Sequence, residues 1–186
     1  MNATLSKDQI IAALSLLNDK LIKRAVVGEV CIFGGAAMVL AFNARLSTRD
    51  VDAVFVPKNE VAKIIVEVAA EIGLEEDWLN DGVKGFLSPK GDHTTDDMPQ
   101  FSNLRVTRPT AEYLLALKLM AARSGVFDMA KDHEDALVLC QRLGIKNTDV
   151  AFAIVERFFP ASLIQPRTQF FVEEVIAELN EPDTES

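Results

Sequence analysis

Cysteine is scarce in this 186-residue chain, and the two present, Cys31 and Cys140, lie far apart in apolar surroundings. That excludes a disulfide framework or a thiolate metal knuckle and predicts two buried free thiols. Histidine is equally rare. His93 falls in a polar loop and His133 among charges, neither at the spacing of a metal-ligand pair, so both are expected on polar surface. No apolar run approaches the roughly 18 to 20 residues that cross a bilayer, and no membrane partner is expected. Residues Met1 to Lys7 contain no basic stretch followed by an apolar core, so a secretory leader is not expected and a cytoplasmic location is. Positive charge is also in deficit. Lys and Arg number 19 against 28 Asp and Glu, a formal charge of −9, which disfavours a surface that grips nucleic acid generally through its phosphates. One segment reverses that sign: between Leu104 and Arg123 stand Arg105, Arg108, Lys118 and Arg123 against Glu112 alone, predicting a local basic patch. No activated serine or cysteine arrangement is visible.

What the chain does have is apolar content, 49% of residues, enough for one domain with a sizeable core or a core domain with a helical appendage. Ser6-Lys7-Asp8-Gln9 has capping-box spacing, and Ile10, Leu14, Leu17 and Leu21 follow at helical intervals, predicting a helix to about Ala25. Glu29 to Phe33 is expected as a strand that Gly34-Gly35 turns into a short helix through Phe42. A polar connection, Asn43 to Arg49, then precedes a strand from Asp50 to Val56, stopped by Pro57. Asn59 is placed to cap a helix carrying Val61, Ile64, Ile65, Val68 and Ile72, with Gly73 at its end. Val83 to Leu87 and Asn103 to Thr107 look like strands on either side of a long polar loop, Ser88 to Ser102. Beyond Pro109 the pattern is helical throughout: Thr110 to Ser124, Lys131 to Leu143 with Gly144 as stop, Thr148 to Phe158, and Thr168 to Leu179. The expected organisation is an α+β core over residues 1–109, a small mixed sheet flanked by helices. A helical C-terminal part over 110–180 packs on it, and 181–186 form a disordered tail.

The chemistry concentrates where one apolar run ends in Gly34-Gly35 and the next begins at Asp50-Val51-Asp52. Alternation along a strand puts Asp50 and Asp52 on one face, about 6.5 Å apart at roughly 3.3 Å per residue, while Val51, Ala53 and Phe55 face the core. Two such carboxylates repel unless a cation joins them. Mg²⁺ takes one or two protein carboxylates and completes its shell with water and phosphate oxygens. A glycine pair before a helix start leaves backbone amides open to a phosphate. Taken together, and with Arg45, Thr48 and Arg49 nearby, these residues point to nucleotide chemistry. Lys118 lines up with Leu114, Leu115, Ala121 and Ala122 on a helix, where a lysine is costly unless paired. Asp132 and Asp135 on the next helix offer a partner, as a structural ion pair or as the back wall of an anionic-substrate site; the alternative is an ammonium that snorkels to water.

The runs Gly34-Gly35-Ala36-Ala37 and Ala44 to Phe55 resemble the polymerase-beta-like nucleotidyltransferases, and within them a bacterial branch related to the AbiEii-type toxins. Trp78 to Asp81, Tyr113 to Leu119, Ala121 to Arg123 and Asp132-x-x-Asp135 are similar to that branch as well. The resemblance implies a nucleotidyltransferase-like fold that binds an NTP substrate with Mg²⁺ or Mn²⁺. Asp50, Asp52 and Lys118 would be catalytic, and Asp50 and Asp52 would hold the metal. Gly34, Gly35, Thr48, Arg49, Lys118 and Arg123 would meet the nucleotide, and Asp132 and Asp135 would be accessory. It further implies transfer of NMP to an RNA, a tRNA end among the candidates, or to a protein, with an antitoxin as partner. The chain departs from the pattern at one point: the Asn103 to Thr107 strand offers Arg105 where many such enzymes carry a third carboxylate. Asp96, Asp97 or Asp135 would have to substitute. Without one, the chain binds nucleotide as a non-catalytic or antitoxin-like protein.

Overall fold

The computed structural model describes residues 4–121 and 129–181. The fold is α+β, and the chain divides into two compact units, Met1–Phe86 with His93–Pro109, and Leu87–Asp92 with Thr110–Ser186.

The first unit is built on a mixed five-stranded sheet. A short strand β1 (Leu5–Ser6) leads into helix α1 (Lys7–Lys23), whose Ser6 hydroxyl accepts from the Gln9 N–H while the Gln9 side chain accepts from the Ser6 N–H, completing the expected capping box. Strand β2 (Gly28–Ile32) is followed by a single-turn helix α2 (Gly34–Ala37) that continues as a π-helical turn, Met38–Phe42. Next come β3 (Ser47–Thr48), β4 (Val51–Val56) and helix α3 (Lys58–Ile72), which ends with Gly73 at a φ of 72°, as expected. Strands β5 (Leu79–Asn80), β6 (His93–Thr94) and β7 (Leu104–Pro109) complete the sheet in the order β5-β4-β2-β7-β6. Pairing is antiparallel for β2 with β4 and for β6 with β7, and parallel for β2 with β7 and for β4 with β5. Strands β1 and β3 form a separate antiparallel pair.

The period-2 pattern sorts this sheet into two faces. Val30, Ile32, Val51, Ala53, Phe55, Leu104 and Val106 are buried, and α1 and α3 pack on each other and on β7 and β4. The opposite face presents Glu29, Cys31, Asp52, Val54, Val56, Arg105 and Thr107, all exposed or half-buried. Trp78 locks β5 to this scaffold: its indole N–H donates to the Ile65 carbonyl at 3.2 Å, and its own carbonyl accepts from the Val51 N–H at 2.7 Å.

In the second unit, helices α4 (Ala111–Ala121), α5 (Met129–Leu143), α6 (Thr148–Phe158) and α7 (Pro166–Asn180) surround a buried α4. That helix is apolar on nearly every side, as a central helix must be. Asn147 caps α6 by accepting from the Val150 N–H at 3.0 Å. Residues 87–92 join this unit because Ser88 is tied into it. Its N–H donates to Tyr113 Oη at 2.8 Å, its hydroxyl donates to the Phe158 carbonyl, and the rings of Tyr113 and Phe158 lie 4.8 Å apart.

Several sequence expectations need correction. Val83 to Leu87 is not a strand: Gly82–Phe86 forms a 3₁₀ turn with no buried residue. Turn chemistry wins there, because Asn80 Oδ1 accepts from the Gly82 N–H at 3.0 Å and Asp81 accepts from the Lys84 N–H. Asn59 lies inside α3, which starts one residue earlier, with Pro57 at its N-cap. The first helix stops at Lys23, and Ala25 takes a left-handed φ of 53°. The final helix begins at Pro166, a residue suited to the first helical position. The expected loop Ser88 to Ser102 contains β6. Ala122 to Ser124 of the expected fourth helix lie outside the described residues, as does the tail from residue 182 onward.

Candidate functional site

At the glycine turn between β2 and α2 the backbone runs close against polar side chains. Gly34 has a φ of 56°, a left-handed conformation that favours glycine, and a Cβ there would lie 3.0 Å from Asp52 Oδ2. A Cβ on Gly35 would lie 2.7 Å from Thr48 Oγ1 and 3.3 Å from the Arg45 guanidinium. Glycine is thus favoured at position 34 by conformation, and a side chain at position 35 would have to displace Thr48. The turn is pinned to β4 by the Phe33 N–H, which donates to the Asp52 carbonyl at 2.8 Å. Thr48 is held buried on β3, opposite Leu5 in register. A π-helical turn directly after the glycines is a feature that often accompanies functional sites, and no periodicity in the sequence marks it.

Asp50 precedes β4 and Asp52 lies within it, both half-buried, while Val51, Ala53 and Phe55 enter the core as the alternation predicts. Asp50 Oδ2 accepts from Asn80 Nδ2 at 3.3 Å, and Asn80 is the register partner of Asp52 on β5. The structure thus brings Gly34, Gly35, Arg45, Thr48 and Asp52 together beyond the end of β2, and Asn80 ties Asp50 to β5 beside them. Arg49 is exposed in the bend before Asp50. Asn80 is a residue to which the sequence reading assigned no role; the Asn-Asp-Gly run from 80 to 82 is the turn signal that marks it. Beside it, Asp81 receives hydrogen bonds from Lys58 at 2.7 Å and from Lys84 at 2.6 Å. These two ammonium groups hold the Asp81 carboxyl down at about 2, so it stays ionised across the ordinary pH range.

The expected third carboxylate does not join this cluster. Among the described residues no group of three His, Cys, Asp or Glu converges. Arg105 on β7 is exposed opposite Glu29, 3.9 Å away, and Asp96 is exposed. Asp97 lies 3.5 Å from Arg108. Among the described residues of the expected basic segment, Arg105 is exposed but Arg108 and Lys118 are buried. Arg108 is buried, its guanidinium donating to the carbonyls of Asp96 and Pro109 and lying 4.8 Å from the Phe42 ring. Its charge serves to hold the 94–98 segment to the sheet.

Lys118, Asp132 and Asp135 belong to the second unit. Lys118 does not snorkel: it is buried, 2.9 Å from Asp132 Oδ1 and 2.7 Å from Asp135 Oδ2, with Asp135 only 1% exposed. Arg123 lies outside the described residues. His93 is exposed, edge-on to Phe33 at 6.0 Å. His133 is not simple surface: it is half-buried between α5 and α7, edge-on to Phe171 and 3.6 Å from Glu178.

Cys31 is half-buried on the open sheet face rather than in the core, and Cys140 is buried. Burial pushes both thiols up to about 11, against the opposing effect of a Thr107 hydrogen bond at Cys31. Neither is an activated nucleophile. The shift runs upward, so its contribution to stability is complete below the unfolded value near 8.5 and is lost as pH rises through about 11. Iodoacetamide at pH 8 is expected to label the native chain at least about 100-fold more slowly than the urea-unfolded chain, following the thiolate fraction. Equal rates would contradict this.

No helix among the described residues is long and apolar enough to cross a membrane. Comparison of the chain with protein-family profiles, with curated proteins and with solved structures found no match.

Proposed function

We propose that the chain is a metal-dependent nucleotidyltransferase that moves NMP from an NTP to an acceptor hydroxyl. The observation that carries this reading is the meeting of the Gly34-Gly35 turn with Asp52, Thr48 and Arg45, beside Asp50. The residues fit Mg²⁺ or Mn²⁺: two carboxylates suit an ion that completes its shell with phosphate oxygens and water. The glycine turn also keeps side-chain carbons out of the space a phosphate would approach. Asp50 and Asp52 would hold the ion. The backbone N–H groups of Gly34 and Gly35, with Thr48, Arg45 and Arg49, would orient the triphosphate. When bound, the ion supplies charge neutralisation on the triphosphate and polarisation of the acceptor oxygen. In the transfer, the acceptor oxygen bonds to the α-phosphorus as the bond from that phosphorus to the bridging oxygen breaks. Pyrophosphate leaves with the electron pair, and the hydroxyl proton passes to solvent. The chain's own contribution is in-line positioning.

RNA, a tRNA end included, and protein side chains are the acceptor classes. A net charge of −9 and the burial of Arg108 and Lys118 favour a protein hydroxyl. An antitoxin partner and a cytoplasmic setting rest on the family likeness and on sequence composition. Lys118, Arg123, Asp132 and Asp135 enter the reading only through that likeness. A second reading, a non-catalytic nucleotide-binding protein, is favoured by the lack of a third acidic group at the cluster among the described residues. Incubating the chain with each α-labelled NTP, Mg²⁺ and either total RNA or cell extract separates the two. Label joined to RNA or protein with release of pyrophosphate is the expected result. Bound nucleotide with no labelled product would establish the second reading.

A further inference from the structure

We propose that Asn80 is a positioning residue that sets the orientation of Asp50, resting on the reading that Asp50 and Asp52 hold a divalent cation. Two bonds determine which way its amide faces. The Oδ1 end accepts from the Gly82 N–H at 3.0 Å, and a flipped amide would set one N–H against another. Nδ2 is thereby aimed at Asp50 Oδ2, 3.3 Å away. The mount is rigid: β5 pairs with β4 so that Asn80 stands opposite Asp52, and the preceding Trp78 is fixed at both its indole N–H and its carbonyl. One residue therefore bonds the Asp50 carboxylate and stands opposite Asp52 in register.

Asp50 lies outside β4, where no ladder bond holds its backbone, and a carboxylate so placed beside Asp52 would swing away from its like charge. A donor on Oδ2 opposes that swing and leaves Oδ1 directed to the cation, the task that outer hydrogen bonds perform for ligating carboxylates. An amide does this without adding a third negative charge.

Asn80→Ser separates the two bonds. Serine can still accept from the N–H two residues on, which keeps the turn, but it is too short to reach Asp50. Asp81→Asn is the complementary control, since it loosens the same turn by removing the Lys58 and Lys84 pairs without touching Asp50. Mn²⁺ titration of the full chain, read from the resonance of the free ion, should give Asn80→Ser an affinity about 10 to 100-fold below wild type. Asp81→Asn should stay within about threefold, as expected for exposed ion pairs. Wild-type affinity in Asn80→Ser, or an equal loss in Asp81→Asn, would overturn the role of Asn80 while leaving the metal site standing. Failure of the wild-type chain to bind Mn²⁺, or wild-type binding in Asp50→Asn with Asp52→Asn, would overturn the metal reading and this inference with it.

Discussion

Replacing Asp50 and Asp52 together with asparagine should abolish the rise in melting temperature that Mg²⁺ and an NTP confer on the wild-type chain. A ligand at about 100 times its dissociation constant stabilises the native state by roughly 2.7 kcal/mol. For a chain of this size that is about 5 to 10 °C in the transition of the unit that binds it. The effect depends on charge at Asp50, just before β4, and at Asp52 within it, so asparagine, which keeps shape and removes charge, isolates it. An undiminished ligand-induced shift in the variant would remove Asp50 and Asp52 from the metal assignment.

Lys118→Met should cost about 3 to 5 kcal/mol of stability in urea unfolding. Asp135 is almost wholly shielded and Asp132 largely so, and removing the ammonium 2.7 Å and 2.9 Å away takes a close positive charge from two carboxylates in a medium that solvates them poorly. Methionine retains the apolar stem, so lost packing contributes little. Adding Asp132→Asn and Asp135→Asn to Lys118→Met should recover most of the loss, since a buried ionic group replaced as a whole is often close to neutral. A Lys118→Met variant within 1 kcal/mol of wild type would contradict a tightly held trio. Nucleotide affinity measured on the same variant, under conditions where it is folded, decides whether Lys118 also serves the nucleotide.

Much of the first unit was legible because its signals are local. The Ser6–Gln9 capping box, the glycine that ends α3 and the alternation through Val51, Ala53 and Phe55 each state a backbone conformation in a few residues. The placement of the glycine turn against Asp52 was legible for the same reason, since Gly34 and Gly35 follow β2 and Asp52 lies on β4, and the pairing of these strands brings them together. What was not legible was set by pairing at a distance. Strands of two residues, β1, β3, β5 and β6, have no period to read. The Val83 to Leu87 segment carries β-forming residues, yet the Asn80 and Asp81 bonds turn it into a 3₁₀ helix. The basic segment from Arg105 to Arg123 looked like a patch because a charge count is blind to burial. Arg108 faces inward beneath the 94–98 segment, and Lys118 faces its two aspartates.

The central claim is that the glycine turn and the aspartate pair make one metal–nucleotide site, and it is tested most directly by the metal dependence of nucleotide affinity. Calorimetric titration of the full chain with a non-hydrolysable NTP analogue, with Mg²⁺ and then with EDTA, makes that measurement. Affinity that falls at least about tenfold on chelation, and that is metal-independent in Asp50→Asn with Asp52→Asn, is the predicted result. Equal affinity with and without metal in the wild-type chain, or no binding at all, would contradict it.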